Sequence, residues 1–175
     1  WLRRTSCPIP EDLIVATRPN QPVWQLAVSA GRQVIDGLLA AGEVETALRQ
    51  ATSTGAQQKA LKAFQSITDS TQMLRQARRL QEYGLELISR RGIEPEALAR
   101  AEEILNSLFS ASEGLFLASI GSERDWLGLM LTALGGLLAC ANHSGDRIGQ
   151  EEIGRRFDAL VERNGHLLTR RADRE

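Results

Sequence analysis

Residues Trp126 to Ala141, WLGLMLTALGGLLACA, run for sixteen positions without a charge, in a chain that is otherwise 25% Asp, Glu, Lys and Arg. A helix that is apolar on all sides must be enclosed, by other helices or by lipid. The run therefore marks the centre of whatever fold the chain adopts. Sixteen residues fall short of the roughly twenty that span a bilayer as a helix, so a buried core helix is the expectation.

The remainder of the chain reads as helix around that centre. Ala, Leu, Gln, Glu and Arg dominate from Val23 onward, and β-branched residues are sparse. Pro8, Pro10, Pro19 and Pro22 crowd residues 1–22 into an arm, in which Pro10-Glu11-Asp12 opens at most a short helical turn. Val23, Leu26, Ala27, Val34, Ile35, Leu38 and Leu39 then give a helical stripe ended by Gly42. A short helix follows over Glu43–Ala51, before the breaker Thr52-Ser53-Thr54-Gly55.

From Ala56 to Arg91, apolar residues step by three and four, with one weak point at Thr68-Asp69-Ser70-Thr71. The stretch predicts one helix of about ten turns, or a kink at that point. Gly92 suits a C-cap, with Arg90 and Arg91 favourable against the helix dipole. Ile93-Glu94-Pro95-Glu96 is the strongest local start signal, and Leu98, Ala101, Leu105, Leu108, Ser112, Leu115 and Ser119 carry heptad-like spacing to about Ile120. Ser122 or Glu123 opens the apolar helix. A last amphipathic helix runs from about Gly149 to Arg171, with Ile153, Phe157, Leu160, Val161, Leu167 and Leu168 on one face.

Short connections between helices favour antiparallel neighbours. The expected fold is all-α: a Pro-rich arm over 1–22, then a single-domain antiparallel bundle of five to six helices over 23–175, built round the apolar helix 126–141.

Within that helix, Gly128, Thr132, Gly136 and Cys140 recur every four residues. They form a candidate stripe for close packing or a groove, with Leu127, Leu131, Leu134 and Leu138 opposite. Gly135-Gly136 in mid-helix costs roughly 2 kcal/mol of propensity relative to two alanines. Packing, a bend or a bound partner must compensate.

Chemistry is scarce elsewhere. His143 and His166 are the only histidines, and neither belongs to a metal-binding pair. Glu102-Glu103 and Glu151-Glu152 read as solvated faces, since a di-metal carboxylate bundle needs Glu-x-x-His repeats. Nucleophile elbows, phosphate-binding Gly loops and C-x-x-C motifs are absent. No cofactor or metal is implied, and a non-enzymatic role is expected.

The net charge of −1 provides no global field for nucleic acid, and aromatics do not interleave with basic residues. Lys59 and Lys62 are the only lysines among 21 basic residues, a bias that reads as Arg chosen for bidentate phosphate or carboxylate contacts or, as the scatter of the arginines favours, as a GC-rich genome. Cys7 and Cys140 are too few for a disulfide framework, so a reducing, cytoplasmic compartment is the default. Because the chain begins at Trp1 rather than Met, a targeting segment removed ahead of it stays open. Trp126 stands at a helix start, where Trp anchors a core edge with its N–H on a polar partner.

Two surfaces remain as candidates for function. Arg75, Arg78, Arg79, Glu82 and Glu86 cluster on the long helix, and this patch could dock an acidic partner. The bland alternative is helix support through the i,i+4 pairs Arg78–Glu82 and Glu86–Arg90. The apolar helix, with its small-residue stripe, is the second. Asp125-Trp126-Leu127-Gly128, with Gly135-Gly136 and Cys140 beyond, loosely resembles the central helix of the B-cell-lymphoma-type apoptosis regulators. That family has Gly where Leu127 stands and Arg where Gly128 stands, so the chain is not assigned to it.

The leading expectation is a helical bundle acting by protein–protein interaction: an adaptor, a secretion-associated chaperone or effector, or a sensor module, with self-association included and with the Ala56–Arg91 helix and its neighbour Glu94–Ile120 as the contact surface. The alternative is a membrane-active or ligand-binding bundle using 126–141.

Overall fold

A computed structural model describes residues 23–89 and 93–169, with side chains within 31–89 and 93–168. The arm over 1–22, Cys7, Arg90, Arg91, Gly92 and Arg171, and the side chains of Trp24, Leu26 and Ala27, lie outside the described residues. The described residues are all-α, without a strand. They hold seven helices: α1 Val23–Ala40, α2 Val44–Gln50, α3 Thr54–Gln65, α4 Ser70–Ser89, α5 Pro95–Leu117, α6 Glu123–Ser144 and α7 Arg147–Thr169.

Seven exceeds the expected five to six because Ala56–Arg91 is not one helix, kinked or straight. It ends at Ser66 and restarts at Ser70. The reason is local hydrogen bonding. The Ser66 backbone N–H closes the end of α3 on the Lys62 and Ala63 carbonyls, and its hydroxyl donates to the Ala63 carbonyl at 2.8 Å. Asp69 then accepts from the Gln72 N–H through Oδ1 at 2.7 Å, which caps a new helix. The same residues that weaken the apolar stripe offer the backbone an alternative to continuous helix.

The chain divides near this break into two compact units, one ending at Ser66 and one starting at Ile67. In the first, α1, α2 and α3 pack on one another. Ile35, Val44, Ala47, Leu48, Ala60, Leu61 and Phe64 are buried. Ser53 caps α3 by accepting from the Ala56 N–H, and an exposed ion pair joins Lys59 of α3 to Asp36 of α1.

The second unit contains α4 to α7. Helix α6 packs against α4, α5 and α7, and α5 packs against α4 as well. Its core is built from Met73, Ala77, Leu80 and Leu87 of α4, Ala101, Ile104, Leu105 and Leu108 of α5, and Trp126, Leu127, Met130, Ala133, Leu134 and Leu137 of α6. The heptad-like series of α5 ends earlier than expected. The helix stops at Leu117, and Ser119 is exposed with φ +54° in the turn that follows.

Helix α6 is longer than its apolar run. Ser122 caps it by accepting from the Asp125 N–H, and Gly145 ends it in the left-handed conformation at φ +73°. Asp146 then accepts from the Gly149 N–H at 3.0 Å, so α7 starts at Arg147 rather than at Gly149.

Candidate functional site

The four-residue stripe on α6 is not one surface. Four residues advance the helix by about 400°, so a series of such steps drifts about 40° each time around the axis. Gly128 and Thr132 are half-buried on the open side, and Gly136 and Cys140 have turned into the core. The leucines divide in the same way: Leu127 and Leu134 are buried, whereas Leu131 and Leu138 are half-exposed. The open side of α6 therefore carries Gly128, Leu131, Thr132, Gly135, Leu138 and Ala139.

The adjacent glycines of α6 do different things. At Gly136 a Cβ would stand 2.7 Å from Leu105 Cδ1 and 3.1 Å from Leu85 Cδ2. At Gly84 of α4, a Cβ would stand 3.3 Å from both Cγ and Cδ2 of the same Leu105. Leu105 thus enters the core between two side-chain-free positions on two helices. Packing of this kind is the compensation that a mid-helix glycine requires.

At Gly135 no atom lies within 4 Å of a Cβ, and the residue is exposed. Gly135→Ala is therefore expected to stabilise the protein by about 1 kcal/mol through helix propensity alone. Urea unfolding followed by circular dichroism measures it, and a destabilised variant would show that this position is packed.

Trp126 is 2% exposed, and its Nε1 donates to the Ile120 carbonyl at 2.6 Å. Gly121, at φ +79°, lies close beside the indole, where a Cβ would be 3.3 Å from Nε1. Loop and helix start are thereby locked together in the way a Trp at this position predicts. On α5, the Ser112 hydroxyl is buried and has no hydrogen-bond partner among the described residues.

Cys140 is a free, buried thiol. Burial, with the charge of Glu102 second, pushes it up from its ordinary value of 9.0 to about 11. A thiol raised in this way is a packing group, not a nucleophile. The unfolded chain ionises it first, so its contribution to stability is complete below pH 9 and is lost as pH rises to about 11. Wild type is expected to lose stability relative to Cys140→Ala across that window. A difference between the two that stays flat from pH 8 to 11 would refute this.

Arg75, Arg78, Arg79 and Glu82 are exposed on α4 and Glu86 is half-buried, on the side opposite Met73, Ala77, Leu80, Gly84 and Leu87. The ion pair that Arg78 makes is not the one expected with Glu82. Its guanidinium reaches Asp125 Oδ1 in the first turn of α6, at 2.8 Å. Spacing within one helix could not disclose a partner 47 residues away. Both side chains are substantially exposed, so the pair is worth at most about 1 kcal/mol. The Glu86–Arg90 pair lies outside the described residues.

Among the described residues, no group of three or more His, Cys, Asp and Glu is placed to hold a metal ion. Helix α6 is the one described helix long and apolar enough to cross a membrane by length and composition, and half of its apolar window is buried inside the protein. The chain matches no protein-family model, and neither curated proteins nor solved structures show a match to it.

Proposed function

We propose that the chain is a non-enzymatic helical bundle that acts through protein–protein contact, as an adaptor, a secretion-associated chaperone or effector, or a sensor module. Its bundle is antiparallel in the second unit. Two pairs support that reading: Leu105 meets Gly136, and Glu102 lies close enough to Cys140 to raise its pKa, so residue numbers fall along α5 as they rise along α6. A reducing, cytoplasmic setting fits the free thiol of Cys140.

The contact surface is the outer side of α4, and the observation that carries it is the exposure of Arg75, Arg78 and Arg79 on consecutive turns above a buried apolar face. Three exposed guanidiniums on one side of a helix suit an acidic segment of a partner or of a second copy. The variant Arg75→Glu is expected to weaken partner capture and any self-association seen by light scattering, and to leave the circular dichroism melt unchanged. Identical capture and identical mass for wild type and variant would overturn the assignment.

A second reading, a membrane-active or ligand-binding bundle, draws on the open side of α6. Gly128, Leu131, Gly135 and Leu138 form an uncharged face on a helix long enough to span a bilayer. Co-sedimentation with anionic and neutral vesicles across pH separates the readings, since absence of binding in every case eliminates the membrane version.

A further inference from the structure

We draw no further inference here: the strongest candidate, the incompletely covered apolar strip of α7 at Ile153, Phe157, Leu160 and Val161 with exposed Ile148 on the same helix, is an unpartnered face, and nothing in the structure shows what covers it.

Discussion

Replacing Trp126 with Ala is expected to lower the unfolding free energy by about 3–5 kcal/mol, the range for deleting a large aromatic from a core. Two losses combine. The indole is 2% exposed, so its removal leaves a cavity among residues that cannot all collapse into it. The Ile120 carbonyl also loses the 2.6 Å hydrogen bond from Nε1. Trp126→Phe helps to separate the two terms, because it keeps most of the apolar volume while it removes the donor. That variant should lose about 1–2 kcal/mol. Far-ultraviolet circular dichroism in urea is the appropriate measurement, because Trp1 and Trp24 would complicate fluorescence. A loss below about 1 kcal/mol for Trp126→Ala would mean that the loop before α6 is not held by this side chain.

The second large effect concerns Leu105 and is best read as a cycle. Leu105→Ala should cost about 2–5 kcal/mol, since the side chain is fully buried. Gly136→Ala alone trades about 1 kcal/mol of helix propensity against overpacking of 1–3 kcal/mol. Its Cβ would fall 2.7 Å from a leucine that Gly84 confines from the other side, so the net effect should be destabilising. Combined with Leu105→Ala, the cost should shrink: the Leu105 atoms are gone, and only Leu85 Cδ2, at 3.1 Å, must still give way to the Gly136→Ala methyl. The coupling between the two sites is expected at about 1–3 kcal/mol. Additive effects would show that Leu105 does not rest on Gly136.

These two sites differ in how far the sequence exposes them. Trp126 was legible: a Trp at a helix start, preceded by Gly121-Ser122, already suggests an anchored core edge. Leu105 was legible as part of the apolar series of its helix, and Gly136 as part of a small-residue stripe for close packing or a groove. Their meeting was not, because periodicity assigns a residue to a face and carries no register between helices. The stripe Gly128, Thr132, Gly136 and Cys140 shows the limit most directly. Four-residue spacing identifies neighbours along a helix, but its drift carried the two ends of the stripe into different environments.

The Arg patch shows the same limit in charge. Arg75, Arg78 and Arg79 could be placed together from spacing alone, and the structure leaves all three on the surface. The partner of Arg78 could not be foreseen, because Asp125 reaches it only through the packing of α4 on α6. The division of Ala56–Arg91 lies between these cases. Thr68-Asp69-Ser70-Thr71 marked the weak point, and what decided a break over a kink was the capping bond that Asp69 Oδ1 accepts from the Gln72 N–H.

By itself the sequence determined the helical class, the position of most helix ends and the helical state of the Trp126–Ala141 run, which packs on one side and is not enclosed all round. These follow from local terms: propensity, capping and the period of apolar residues, each of which acts within a few turns of chain. Tertiary structure alone decided which side of that run is covered. Only the approach of α4 and α5 made Gly136 a seat for Leu105, while Gly135, one residue earlier, faces open space. Contacts between segments distant in the chain depend on register, and register is set when the faces pack.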